Sequence, residues 1–147
     1  MGYAGKNQEA GLPVAMHNKP SIHDCNQTTI ELLHRKNIIT HKEKKLLNDI
    51  SSIKNRDITT GLIEQNHIEP ELIGKVISQY TESPFLPTIT NKISEKTIRE
   101  LPEELTYRQF ILPISIDNQS LVVACYSLHQ IELIKTYSKI NQKNITI

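Results

Sequence analysis

Three features of the sequence predict an α+β fold. Apolar residues recur with a helical period of 3.6 up to about residue 110, the period becomes two beyond Phe110, and the last third reads strand, helix, strand. The chain has 147 residues, enough for one ordinary domain or two small lobes. We read 1–24 as a flexible leader or linker, 25–84 as a helical lobe with an internal repeat, and 85–147 as a small α/β lobe.

The leader is rich in Gly, Asn and Pro and has no apolar period. Order is expected to begin near Thr28, where Thr28-Thr29-Ile30-Glu31 fits a capping box. In such a box the Thr hydroxyl and the Glu carboxylate each satisfy an orphan backbone N–H. The helix it opens carries Ile30 and Leu33 on one face and should stop at Asn37. A second box, Thr40-His41-Lys42-Glu43, opens another helix on which Leu46, Leu47, Ile50 and Ile53 recur at helical spacing.

The plan then repeats. Leu33 to Ile39 and Leu62 to Ile68 share the frame L-x-x-x-N-x-I, offset by 29 residues. Both Asn residues, Asn37 and Asn66, fall just past a short helix, where a positive φ is wanted and Asn tolerates it. Convergent capping chemistry is the plainer account of such a frame; a true duplication is the other. Pro70 suits the first turn of the next helix, with Leu72, Ile73, Val76, Ile77 and Tyr80 as its expected buried stripe. Residues 28–81 thus read as two helix–turn–helix units packed on each other.

After Pro84 the texture changes. Ser94 to Leu101 reads as a short helix, and Pro102-Glu103-Glu104-Leu105 as another helical turn. Phe110 to Ile116 and Leu121 to Tyr126 read as strands joined through Asp117-Asn118-Gln119-Ser120, a hairpin signal. Pro113 removes a backbone donor, so its strand should lie at an edge or carry a bulge. Ile131, Ile134 and Tyr137 mark a helix, and Asn144 to Ile147 the start of a third strand. If that strand is parallel to its predecessor, the unit is a right-handed βαβ crossover. The chain stops inside the strand, as a piece of a longer protein would.

Composition excludes several functions. The net charge is +1, from 17 basic and 16 acidic residues, so there is no general pull on nucleic acid or acidic membranes. The chain has five glycines, of which only Gly61 and Gly74 lie beyond the leader, and neither GxxxxGK[ST] nor GxGxxG occurs. Phosphate-cradling loops need clustered glycines. If the chain serves a nucleotide-driven machine, the motor is elsewhere. Cys25 and Cys125 lie a hundred positions apart, and the default is reduced thiols in the cytoplasm. No stretch approaches the ~20 apolar residues that span a bilayer.

Candidate chemistry is sparse. His17, His23, Asp24 and Cys25 are metal-capable but lack zinc-site spacing, and we assign no metal ligand. His34 and His41 face across a turn and read as solvated. Lys42, Lys44 and Lys45, with Glu43 among them, read as a wet helix face. No nucleophile elbow or catalytic acid pair is recognisable, so no residue is assigned a catalytic role.

The run Ile58-Thr59-Thr60-Gly61-Leu62-Ile63-Glu64-Gln65-Asn66-His67-Ile68, continued through Ile73, Ile77, Tyr80, Pro84 and Phe85, resembles a known pattern. It is similar to the N-terminal domain of type II secretion and type IV pilus assembly ATPases, whose motif reads R-L-G-x-x-L-x-x-x-G-x-I-x-x-x-x-L-x-x-x-L-x-x-Q and closes on Pro-Phe. Leu101-Pro102-Glu103-Glu104-Leu105, Ile111 to Ile114 and Leu121 to Ala124 follow the same family's downstream course. The likeness covers residues 56–147 and, through the repeat, 28–55 more loosely.

In some members of that family the paired motif binds cyclic di-GMP. The resemblance places its positions here at Asp57, Ile58, Thr59, Leu62, Asn66, Ile68, Ile73, Ile77 and Tyr80. The apolar frame is kept and the ligand chemistry is not. Asp57 and, in the first repeat, Thr28 stand at the Arg positions, Thr59 and Asn66 at the Gly positions, and Tyr80 at the Gln. A carboxylate in place of a guanidinium repels phosphate and loses its bidentate bonds. After Leu121 to Ala124 the family often has Asp-Pro, where this chain reads Tyr126-Ser127-Leu128-His129. Related domains also occur on membrane glycosyltransferases resembling the phage N4 adsorption protein B.

The resemblance therefore implies a non-catalytic regulatory or docking domain of a bacterial secretion or pilus-assembly system, concerned with protein transport. A cyclic di-GMP sensor and an accessory domain of a membrane glycosyltransferase are the alternatives. No cofactor is expected, with cyclic di-GMP disfavoured. The expected partner is the cytoplasmic part of an inner-membrane protein or another domain of the same chain, and not nucleic acid. The expected location is cytoplasmic, at most peripheral to the inner membrane.

Overall fold

Ser21 sets the first helix. Its hydroxyl accepts from the Asp24 N–H at 3.3 Å, and α1 runs Ile22–Arg35. The computed structural model describes residues 21–53, 56–65 and 67–147, with the backbone alone at 53. Thr28 is consequently an interior position of α1 and not its cap, which corrects the first expected box. Glu31 does not reach back toward Thr28 but meets Lys44 at 2.7 Å and Arg35 at 3.6 Å.

The second box forms as expected. The Thr40 N–H donates to the Glu43 carboxylate at 2.7 Å, and the Glu43 N–H to the Thr40 hydroxyl at 3.2 Å. Helix α2 follows over His41–Ile53. Asp57 caps α3, Ile58–Glu64, by accepting from the Thr59 N–H at 3.0 Å. Pro70 opens α4, Pro70–Thr81, which Glu82 closes in the left-handed region at φ 57°.

The 29-residue repeat is present in the backbone. Lys36 N–H bonds to Leu32 O at 3.1 Å and Ile38 N–H to Leu33 O at 2.9 Å; Gln65 to Gly61 at 3.2 Å and His67 to Leu62 at 3.2 Å are the same bonds one repeat on. Asn37 has the anticipated positive φ, 59°. Asn66 lies outside the described residues. The frame positions Leu33, Ile39, Leu62 and Ile68 are all buried.

Two compact units result, which we describe separately. The helical unit comprises residues 21–89 with 126–131, the sheet unit 90–125 with 132–147. In the helical unit the core is Ile30, Leu33, Ile39, Ile58, Leu62, Ile68, Ile73, Val76 and Ile77. Leu72 and Tyr80, expected in the α4 stripe, are 46% and 53% exposed instead.

In the sheet unit, Ser94 caps the single turn α5, Glu95–Ile98, and Glu104–Arg108 forms a π-helical turn. Strand β1, Leu112–Asp117, pairs antiparallel with β2, Ser120–Ala124, which pairs parallel with β3, Ile145–Thr146. The register shifts between Pro113 and Ser115, so the proline lies on an edge strand and beside a bulge. Asn118 and Gln119, at φ 49° and 66°, make the two-residue turn that twisted hairpins favour. Phe110, expected in the strand, precedes it at φ 57° and is exposed, while the Ile111 N–H bonds to Leu105 O.

Between the parallel strands runs α6, Leu128–Asn141. Leu101, Leu105, Ile111, Leu121, Val123, Leu133, Ile134 and Tyr137 form the unit's core. Among the described residues no helix is long and apolar enough to cross a membrane.

Candidate functional site

The motif positions separate sharply by depth. Ile58, Thr59, Leu62, Ile68, Ile73 and Ile77 are all buried in the helical unit, with Thr59 and Ile73 at 0% and 1% exposure. Asp57 is half-buried, and its carboxylate accepts the Thr59 N–H. The Thr59 hydroxyl has no hydrogen-bond partner among the described residues. Only Tyr80 of the described positions presents a large exposed surface.

Asn26, on α1, fixes this segment from below. Its amide donates to the Arg56 carbonyl at 2.7 Å and accepts from the Ile58 N–H at 2.9 Å, with the side chain almost wholly buried. The two bonds clamp the entry of α3 to α1. The sequence reading missed this residue, because a single polar side chain in a helix carries no periodic signal.

Tyr80 lines an open groove of about 430 Å³ with Gln27, Thr28, Glu31, Leu32 and Arg35. Thr28 and Tyr80 are thus the motif positions that share a surface. The groove's fixed charge is a carboxylate bracketed by bases. The Lys44 ammonium, hydrogen-bonded to Glu31, holds its carboxyl below the usual range, aided by Arg35. A phosphate entering here would meet Glu31 as well as Arg35, and Arg35 is already engaged.

The histidines His34 and His41 do meet across their turn, with ring centroids 5.9 Å apart and planes tilted by 59°. On α1, His23 and Asp24 are exposed and Cys25 is buried; His17 lies outside the described residues. Among the described residues no group of three or more His, Cys, Asp or Glu side chains is placed to hold a metal ion. Burial pushes the Cys125 thiol up to about 12.

The apolar positions of α2 divide between surface and interior. Leu46 and Ile50 are exposed, at 58% and 37%, while Ser51 is buried and Lys44 and Asn48 are half-buried beside Leu47. The Asn48 side-chain amide oxygen and the Ser51 hydroxyl are buried without hydrogen-bond partners among the described residues. Helical spacing identifies an apolar face but does not say which way it points.

No protein-family model, curated protein or solved structure matches the chain.

Proposed function

We propose that the chain is a non-catalytic docking and regulatory domain of a bacterial type II secretion or type IV pilus-type ATPase system. Its partner is the cytoplasmic part of an inner-membrane protein or another domain of the same chain. One observation carries this reading: the motif that holds a ligand in some members of the family it resembles is here built into a core. Asp57 caps a helix, and Ile58, Thr59, Leu62, Ile68, Ile73 and Ile77 pack inside. The helix-pair scaffold remains and presents apolar side chains, Leu46, Leu72 and Tyr80, to its surroundings.

One feature favours the cyclic di-GMP alternative. Thr28 and Tyr80, motif positions from the two repeats, line one groove. Calorimetric titration of the full chain with cyclic di-GMP separates the readings. Losing two charge-assisted bidentate contacts, each worth ~1.5–3 kcal/mol, lowers affinity by roughly a hundredfold or more. We expect no binding at micromolar ligand; a low-micromolar dissociation constant would establish the sensor instead. Asp57→Arg should not rescue binding, and it removes the α3 cap at a cost of about 1 kcal/mol.

A further inference from the structure

We infer that the outward face of α2 seats an amphipathic helix with an acidic rim, supplied by a partner protein. The inference rests on the docking reading and names the surface and the chemistry of what docks there.

The repeat supplies an internal comparison. Positions 46 and 50 of α2 correspond to 75 and 79 of α4, and all four are exposed. In α4 they are Lys75 and Gln79, ordinary solvent-facing residues, with Lys75 paired to Glu71 at 2.7 Å. In α2 they are Leu46 and Ile50. The inward positions are exchanged in the opposite sense. Where α4 buries Ile73 and Ile77, α2 has Lys44 and Asn48. At these positions one helix of the repeated pair therefore points polar groups inward and apolar groups outward. Surplus core material would not produce that pattern, since apolar residues would fill the inner positions first.

Charge identifies the occupant. Residues 34–50 hold five Lys or Arg against two acidic residues, leaving 12 against 14 in the rest of the chain. Lys44 is taken by Glu31, and Glu43 by the Thr40 cap. Lys36, Lys42 and Lys45 have no carboxylate within ion-pair distance among the described residues, and Lys42 and Lys45 lie on the same exposed side of α2 as Leu46. A second copy of the chain would bring the same positive face and be repelled. An anionic bilayer fits poorly, because the exposed carboxylate of Asp49 lies beside the apolar pair and the pair spans one helical turn, ~6 Å. Interfacial helices need a longer apolar stripe. A partner helix can insert one apolar ridge over Leu46 and Ile50 and set carboxylates against Lys42 and Lys45.

The test uses the full chain and two labelled peptides of about twenty residues, long enough for a few helical turns. Both have a Leu seam; one is flanked by Glu and the other by Lys. Fluorescence anisotropy should give at least tenfold tighter binding of the Glu-flanked peptide, weakened by salt. Replacing Leu46→Lys with Ile50→Gln, the residues of the second repeat, should lower that binding tenfold or more without lowering Tm. The pair Lys42→Glu with Lys45→Glu should reverse the peptide preference. Equal affinity for both peptides, or none for either, would overturn the inference. So would dimerisation in sedimentation, or partition onto phosphatidylcholine–phosphatidylglycerol vesicles, if either is lost on replacing Leu46 and Ile50. Photo-crosslinks from Leu72 or Tyr80 on α4 to a protein partner do not depend on this face. Their persistence alongside peptide failure would therefore remove the inference and leave the docking reading intact.

Discussion

Asn26 joins two repeats with one side chain, donating to the Arg56 carbonyl and accepting from the Ile58 N–H. Replacing Asn26→Ala removes the partner of both groups and leaves the Ile58 N–H buried and unpaired, which costs about 1–3 kcal/mol. Urea denaturation should show a loss of about 1–3 kcal/mol, with the denaturant slope unchanged. Cys125 gives a prediction of another kind. Its thiol is pushed up to about 12 by burial, from an ordinary value of 9.0, so native alkylation by iodoacetamide at pH 8 should be slow and denatured alkylation fast. The raised value also fixes a sign. The unfolded chain ionises first, so this contribution to stability is full below pH 9.0 and is lost as the pH rises toward 12. Neither residue could be singled out from the sequence. A buried amide and a half-buried thiol are defined by what surrounds them, and surroundings come from contacts distant along the chain.

The helices were legible wherever a local signal had no competitor. Thr40 and Glu43 form their box because nothing upstream offers α2 an earlier start, whereas Thr28 and Glu31 match the same pattern and lie inside α1. Ser21, with Asp24 in the first turn, begins that helix sooner, and Lys44 draws Glu31 away. The two threonines should therefore respond differently. Thr40→Ala should cost about 1 kcal/mol, while Thr28→Ala should be neutral or stabilise by up to ~0.5 kcal/mol through helix propensity. Thermal unfolding of the two variants makes the comparison. Glu43 adds a pH dependence. The backbone N–H and hydroxyl of Thr40 hold its carboxyl below the ordinary value of 4.5, so the box contributes above that pH and is lost as the pH falls through the lowered value. The hairpin was equally legible, from Asp117-Asn118-Gln119-Ser120 and the Pro113 irregularity. The start of β1 was not. Phe110 has strand propensity, but the π-helical turn before it ends on a left-handed residue at that position. The Ser127-Gln130 pair at the start of α6, with Gln130 N–H on the Ser127 hydroxyl at 3.2 Å, carries the same kind of local signal, S-x-x-Q.

At the scale of the whole chain, the α+β class followed from a change of period, which is a property of many residues and survives single misreadings. The 29-residue repeat was readable because Leu33, Asn37 and Ile39 each answer a separate geometric demand, and Leu62 and Ile68 answer the same ones again. The direction of the α2 face was not readable, since an amphipathic helix looks the same in sequence whether its apolar side meets a core or a partner. That ambiguity bears on function. On the proposed function, this scaffold docks a protein through exposed apolar side chains of its helical unit. The most direct measurement is photo-crosslinking in the host cell, with p-benzoylphenylalanine replacing Leu46, Leu72 and Tyr80 one at a time and adducts identified by mass spectrometry. A discrete adduct with an inner-membrane component of a secretion or pilus-assembly machine, or a cross-link to another domain of the same chain, is the expected result. Adducts confined to a glycosyltransferase, or no adduct from any of the three positions, would contradict it.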